Sequence, residues 1–324
     1  PARPESPSAS GETAPAREYA VYNAHEHLYL RAHLDKYLAA AADTGVVRTL
    51  FVASPEFTLR GGKFDKVKGM DVNTQLLLDV AREFPDKIVP FCAVHPGDPE
   101  KLEKIKQYVA QGVKGLKLYT GHGNFWDRPL DCDEMLPVYA YCEETNLPIC
   151  WHVNITRYGD EFERVMKQFP KMTVIVPHFG VTFYRPTDRY WAQFDRLMDT
   201  YPNLYTDTSF GTRAILVHGL EVVSRNREIF RAFFEKYSDR ILFGTDMVIT
   251  ANKEKTREWI ALVLQACRDV LEKDTYRFAM AAKGSGYELK EANNLDGDLR
   301  GLALPDEILR KVYETNFERL FPSK

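Results

Sequence analysis

The strongest constraint on this chain is a rhythm. Eight short apolar runs, most of them followed by a longer amphipathic stretch, recur between residues 19 and 246. The runs are YAVYNAH (19–25), VRTLFVAS (47–54), KIVPFCAV (87–94), VKGLKLY (113–119), PICWHV (148–153), MTVIVPH (172–178), NLYTDTS (203–209) and RILFGTD (240–246). Each has the length of a strand and is rich in Val, Ile, Phe or Tyr, the side chains that suit a pleated, buried surface. The stretches between them carry helix signals. LDKYLAAAADTG stops at Gly45 and DVNTQLLLDVAREFP at Pro85, while DPEKLEKIKQYVAQG opens on acidic residues with Pro99 and closes at Gly112. DEMLPVYAYCEETN, DEFERVMKQFP, WAQFDRLMDTYP and NREIFRAFFEKYSD keep the same beat.

Near-continuous apolar strands alternating with helices predict a parallel sheet covered by helices. Eight such units fit a closed TIM-like (β/α)8 barrel, an α/β fold in a single domain spanning residues 19–324. A doubly wound open sheet is the alternative, but no glycine-rich nucleotide turn follows any run. GHG at 121–123 lacks both the third glycine and the helix. After the eighth run come REWIALVLQACRDVLEK, a polar segment at 283–301, and a C-terminal amphipathic helix, LPDEILRKVYETNFERLF.

Composition narrows the functional classes. The chain of 324 residues has a net charge of −3 and no Lys/Arg cluster, which argues against nucleic acid as a partner. No apolar run approaches the ~18–20 residues of a membrane span. The five cysteines (Cys92, Cys132, Cys142, Cys150 and Cys267) are widely spaced with no CxxC pair, which argues against a disulfide scaffold and a Cys-rich zinc site. Residues 1–18 have too little hydrophobicity to fold alone and are expected to be a disordered, linker-like lead-in. It reads either as a tether left by export or as the trimmed end of a longer chain. With no signal peptide visible, a cytoplasmic location is the default expectation and export the alternative.

In a barrel of this kind the active site lies at the C-terminal ends of the strands, so the polar residues that end the runs are the candidates. The first run ends in His25-Glu26-His27, with the two histidines two apart and so on one face of a strand. The fifth ends in Trp151-His152-Val153-Asn154, the sixth in Pro177-His178-Phe179-Gly180 and the eighth in Gly244-Thr245-Asp246. Taken singly, each histidine reads as a hydrogen-bonded structural residue and Asp246 as a helix cap. Taken together, imidazoles from three strands and a carboxylate from a fourth converge on one barrel mouth. Nitrogen ligands, one oxygen ligand and an open water position suit Zn2+ or a related divalent ion such as Mn2+.

These residues resemble the metal-dependent amidohydrolase superfamily in its amidohydrolase-related branch, which includes hydrolases and enzymes of the aminocarboxymuconate-semialdehyde decarboxylase type. The matching segments are NAHEHL (23–28), GVKGLKLY (112–119), PICWHVN (148–154), VIVPHFG (174–180), NLYTDTS (203–209), ILFGTD (241–246) and ETNFERLF (314–321). They cover nearly the whole chain from about residue 20. The resemblance implies His25, His27, His152 and Asp246 as metal ligands, with His178 as a catalytic or supporting residue beside the ion. Two departures stand out. Many relatives carry Asp two residues before the first histidine, where this chain has Asn23, which weakens support for the metal. Binuclear relatives carry a carboxylated lysine on strand four, where Lys117 lies; the plainer reading is an ammonium that meets substrate or a carboxylate.

The implied chemistry is hydrolysis of a C–N or C–O bond in a small molecule, an amide, lactone or ester. Asp246 would take a proton from water and His178 would polarise the scissile carbonyl. The alternative at the same site is nonoxidative decarboxylation of a small aromatic or unsaturated carboxylic acid. A noncatalytic barrel acting as a binding protein is a third reading, which loss of a ligand would favour, and all four ligands are present. The 17-residue loop SPEFTLRGGKFDKVKGM (54–70), with Arg60, Lys63, Lys66 and Lys68, reads as a substrate lid or as a solvated basic loop. Tyr119, His122, Phe125 and Trp126 follow strand four, Arg157 and Tyr158 strand five, Tyr184 and Arg185 strand six, and Arg213 strand seven. Such aromatic walls with cations suit a small anionic or aromatic substrate. His95 is expected to be structural, and His33 and His218 are assigned no role. Pairing through outer helices makes a homodimer the default oligomer.

Overall fold

The computed structural model describes residues 19–211, 214–278, 280 and 298–323. The expected lead-in at 1–18 and the candidate Arg213 lie outside them. Eight parallel strands follow one another in sequence order around a single sheet. They are β1 (Val21–Glu26), β2 (Val46–Val52), β3 (Ile88–Ala93), β4 (Gly115–Gly121), β5 (Ile149–Val153), β6 (Val174–Val176), β7 (Leu204–Asp207) and β8 (Ile241–Leu242). Every expected run holds one of them. β8 is short, and the barrel closes onto β1 through backbone bonds from Ala24 N to Phe243 O (2.7 Å) and from Asp246 N to His25 O (2.9 Å). Leu28 then bridges Ile249 in parallel. The result is the expected TIM-like (β/α)8 barrel.

The covering helices are α1 (Leu34–Asp43), α2 (Glu56–Arg60), α3 (Met70–Glu83), α4 (Lys101–Gln111), α5 (Leu136–Thr145), α6 (Ile155–Gln168), α7 (Arg189–Thr200), α8 (Ala214–Arg225), α9 (Arg227–Tyr237) and α10 (Arg257–Glu272). A short antiparallel pair, β9 (Thr275–Arg277) and β10 (Asp298–Arg300), precedes α11 (Asp306–Arg310) and α12 (Asn316–Leu320). Three features differ from expectation. α8 buries nearly every side from Leu216 to Ser224, so it lacks the two-faced pattern that marks a surface helix. α2 lies inside the strand-2 loop. The C-terminal helix is not continuous but widens into a π-turn over Lys311–Thr315. In that turn Val312 O accepts from Phe243 N (3.0 Å), and Asn316 Nδ2 donates to Ser238 O (2.7 Å) and Ile241 O (2.8 Å), which ties the helix to the strand-8 edge.

Two apolar layers hold the fold. The larger lies between strands and helices. The smaller fills the lower barrel with Leu50, Val52, Val89, Phe91, Cys150, Ile175, Tyr205 and Leu242, and Phe317 and Phe321 close it from below. Phe91 can sit there because the facing β4 position is Gly115: a Cβ would lie 2.1 Å from its ring. Further up the same strands the interior turns polar, with His25, Lys117 and Asp207 all buried. The five cysteines are free. Among the described residues no helix is long and apolar enough to cross a membrane.

Candidate metal centre

The site begins at an irregularity in β1. Ala24 belongs to the lower barrel core, yet the next residue, His25, also faces the interior. A register shift against β2 between Asn23 and Glu26 places both inside, as a bulge does. Asn23 braces this point: its Nδ2 donates to Tyr37 OH (2.9 Å) and Thr245 Oγ1 (2.8 Å), and its Oδ1 accepts from His25 N (3.2 Å).

Three imidazoles are each anchored at Nδ1. His25 Nδ1 lies 2.8 Å from Asp207 Oδ2. His27 Nδ1 lies 2.5 Å from Ser54 Oγ, and His178 Nδ1 lies 2.9 Å from Ser209 O. Their Nε2 atoms turn toward Asp246. His27 Nε2 is 2.9 Å and His25 Nε2 3.9 Å from Asp246 Oδ1, while His178 Nε2 is 3.5 Å from Oδ2. None of these approaches satisfies Asp246 Oδ1, which is buried without a hydrogen-bond partner. Burial opposes the charge on Asp246, but His25, His27 and His178 outweigh it and hold the carboxyl well below the usual carboxylate range. Burial also pushes the His27 imidazole down to about 4 and lowers His178. Neutral imidazole lone pairs beside an ionised carboxylate with an unmet oxygen are what a divalent cation needs. The donor set therefore fits such an ion.

Asp246 itself sits on a strained turn. Five of the seven described non-glycine residues with positive φ fall at the two site-bearing strand ends: His178 (59°), Phe179 (51°) and Val181 (59°) after β6, and Asp246 (51°) and Val248 (55°) after β8. Each costs about 1–3 kcal/mol, so the surroundings must impose it. For the β8 turn they do. The buried Glu26 carboxylate accepts from His27 N (2.8 Å), Val248 N (2.8 Å), Thr245 Oγ1 (2.9 Å) and Met247 N (3.2 Å). Lys255 Nζ donates to Met247 O (2.7 Å) and Val248 O (2.5 Å) from the other side.

The remaining candidates lie at graded distances from this centre. His152 stands beside it, its ring centroid 5.0 Å from that of His178, with Nε2 held 3.1 Å from Asn154 Oδ1. Lys117 pairs with no carboxylate among the described residues; its Nζ is 3.3 Å from His25 Nε2 and 3.4 Å from Cys150 Sγ. Tyr119 is buried and its hydroxyl lies 3.0 Å from Ala53 O and 2.9 Å from Ser54 Oγ, so it reaches the centre through Ser54 and His27. The His122 ring is 4.3 Å from that of His152, and its Nδ1 accepts from Asn124 N (2.9 Å). Arg157 is exposed on the first turn of α6, with no side-chain hydrogen bond or ion pair among the described residues. Tyr158, the next residue in the chain, stacks on Trp126, 5.7 Å between centroids and 5° from parallel.

Two candidates stand apart. Arg60 pairs with Glu56 (3.4 Å) and lies over the Phe64 ring (3.9 Å), and Arg185 is exposed after the β6 turn. The strand-2 loop folds back on itself through Glu56 N to Lys68 O and Phe57 N to Asp65 O, both 2.9 Å. It docks on the mouth by setting Phe57 edge-on against Phe125, 5.0 Å between centroids.

With this geometry in place, comparison with known proteins is informative. A family model described as amidohydrolase matches residues 22–323. The chain belongs to the amidohydrolase family. Among solved structures the chain is similar to 2,6-dihydroxybenzoate decarboxylase from Rhizobium, with 13% identity, a TM-score of 0.57, and 94% of this chain and 98% of that chain covered. It is similar to an amidohydrolase from Burkholderia multivorans with bound zinc (11%, TM-score 0.58, 94% and 100% covered). It is also similar to 4-oxalomesaconate hydratase from Rhodopseudomonas palustris (15%, TM-score 0.53, 93% and 95% covered). At these identities the likeness is one of fold. No curated protein sequence matches the chain.

Four further residues of the chain lie in the histidine–carboxylate cluster or its bracing although the strand-end reading passed over them: Glu26, Ser54, Asp207 and Ser209. Asp207 had a signal, since it is the one carboxylate of the seventh apolar run, as Asp246 is of the eighth. It also changes the meaning of Asn23. The carboxylate behind His25 comes from β7, so an uncharged residue suffices at position 23.

Proposed function

We propose that the chain is a metal-dependent hydrolase that cleaves a C–N or C–O bond of a small amide, lactone or ester. The observation that carries the reading is Asp246 Oδ1, buried and unpartnered where the Nε2 atoms of His25 and His27 converge. His25, His27 and Asp246 would hold the ion, and His152 would complete the set. When bound, a divalent ion supplies Lewis-acid chemistry, lowering the pKa of water to about 7 and polarising a carbonyl oxygen. Asp246, ionised and held in place by the Glu26 clamp, takes a proton from the attacking water and returns it to the leaving nitrogen or oxygen. His178 approaches the other carboxylate oxygen, Oδ2, which places it on the substrate side of Asp246, where it steadies charge developing on the carbonyl oxygen.

Nonoxidative decarboxylation at the same centre is the second reading. It is favoured by the exposed Arg157, unpaired among the described residues and adjacent in the chain to Tyr158 of the Trp126–Tyr158 stack, a cation and an aromatic wall that suit an aromatic carboxylate, and by the decarboxylase named among the similar structures. Assay of the metal-loaded chain on amide and lactone panels, with CO2 release measured on aromatic and unsaturated carboxylic acids, separates the two. Hydrolysis is expected, and CO2 release without hydrolysis overturns the first reading. In parallel, His152→Ala is expected to lose metal and activity together, whereas His178→Ala keeps metal and loses about 10²–10⁴-fold in turnover. Metal retained in His152→Ala contradicts the ligand assignment.

A further inference from the structure

One carboxylate touches both arms of the histidine cluster. Asp207 is fully buried at the end of β7, and its two oxygens have different neighbours. Oδ1 accepts from His178 N (3.1 Å), Ser209 N (3.0 Å) and Ser209 Oγ (2.5 Å). Oδ2 lies 2.8 Å from His25 Nδ1. The two amides can only donate, so Oδ1 is fixed as an acceptor. Two amides and a hydroxyl donating to one oxygen stabilise the ionised form of this carboxylate. An ionised carboxylate has no proton to give, so the hydrogen at Oδ2 belongs to His25 Nδ1, and the lone pair of that ring lies at Nε2.

The same network reaches His178. The Ser209 hydroxyl hydrogen points at Asp207 Oδ1, so Oγ faces His178 Nδ1 as an acceptor at 2.8 Å, next to Ser209 O at 2.9 Å. His178 too must carry its hydrogen at Nδ1. We propose that Asp207 is a positioning residue that locks His25, and through Ser209 also His178, in the tautomer whose Nε2 lone pair faces Asp246. The proposal rests on the metal reading above and adds that the β1 ligand and the β6 imidazole are set by one shared acid.

Asp207→Asn tests this with little change of shape. If the amide oxygen replaces Oδ1, the NH2 group faces His25 Nδ1 and forces that nitrogen to accept, which moves the hydrogen to Nε2 and removes the lone pair. The opposite orientation would set the NH2 group against three donors. The full chain, labelled with 15N-histidine, is examined by long-range 1H–15N correlation without and with Zn2+. Expected are Nδ1–H signatures for His25 and His178 in the wild type, a switch of His25 to Nε2–H in Asp207→Asn, and Zn2+ affinity lower by about 10–100-fold. A His25 that keeps its Nδ1–H signature in the variant, or an unchanged Zn2+ affinity, overturns the proposal. Should the variant not fold, the wild-type spectrum decides, because an Nε2–H tautomer at either histidine overturns the proposal as well. Ser209→Ala then checks the second arm: the carbonyl of residue 209 still holds the hydrogen at His178 Nδ1, so the tautomer is expected to stay while the His178 15N signals shift on loss of the hydroxyl, and an unshifted His178 signal removes the link through the Ser209 hydroxyl. A wild type that takes up no Zn2+ yet shows the tautomer switch overturns the metal reading and leaves the role of Asp207 standing.

Discussion

Inside the barrel, Leu50, Val89, Phe91 and Ile175 fill the lower half while His25, Lys117, His178 and Asp207 line the upper half, and neighbouring positions on the same strands supply both. Below, the packing is self-sufficient: Gly115 makes room for Phe91, and the Phe321 ring meets it edge-on at 5.5 Å. Above, charges are buried, two strand ends take positive φ, and Asp246 Oδ1 is left without a partner. Burying such groups opposes folding unless each is paired, so a native fold that keeps them does so for a ligand. The lower half is read as stability and the upper half as chemistry. That contrast can be broken by experiment.

The largest effect is expected from Asp246→Asn, which should lower turnover by about 10²–10⁴-fold. Thermal denaturation should show only a modest loss of stability, since the imidazoles that hold the carboxyl below its usual range favour its ionised form in the fold. Intact activity, or marked unfolding with activity per folded molecule preserved, would erase the distinction between the halves. Phe91→Ala should do the reverse. Denaturant titration should show a loss of about 3–5 kcal/mol, typical of a phenylalanine truncated in a packed core, with kcat/KM of the folded fraction unchanged. A catalytic defect there would mean that the floor shapes the site.

The smallest expected effect is a pH dependence confined to the upper half. His27 titrates near 6.5 when unfolded but is pushed down to about 4 in the fold by burial. Between those values the unfolded chain binds the extra proton, so this group lowers stability as pH drops from about 6.5 to about 4, by roughly 3 kcal/mol, while Glu26, pushed up to about 7 by burial, takes up its proton in the fold and opposes the fall. Denaturation midpoints of the metal-free chain at the two ends of the window measure it. Phe91→Ala should show the same pH slope as the wild type, and a changed slope would contradict the separation.

Much of this contrast was legible in the sequence, for identifiable reasons. Strands buried on both faces leave long apolar runs, so VRTLFVAS and KIVPFCAV mark β2 and β3 with small boundary errors. Site residues that interrupt an apolar run stand out against it, as His25, His27, His152 and His178 do. What stayed hidden was whatever depends on a partner distant in the chain. Ser54 looks like the first residue of a loop until His27 is seen 2.5 Å away, and Glu26 reads as a spacer until four donors close on it from the β8 turn. The bulge that turns both Ala24 and His25 inward has no signature in NAHEHL. Likewise α8 escaped notice because burial on nearly all sides removes the polar face by which a helix is recognised.

The central claim, that the upper barrel is built around a divalent ion, is tested most directly by elemental analysis of the chain purified without chelators, beside His27→Ala. The account predicts a stoichiometric divalent ion in the wild type and its loss in the variant. A wild type that holds no such ion and takes up neither Zn2+ nor Mn2+ when they are added, or a His27→Ala chain that keeps its metal, would contradict it.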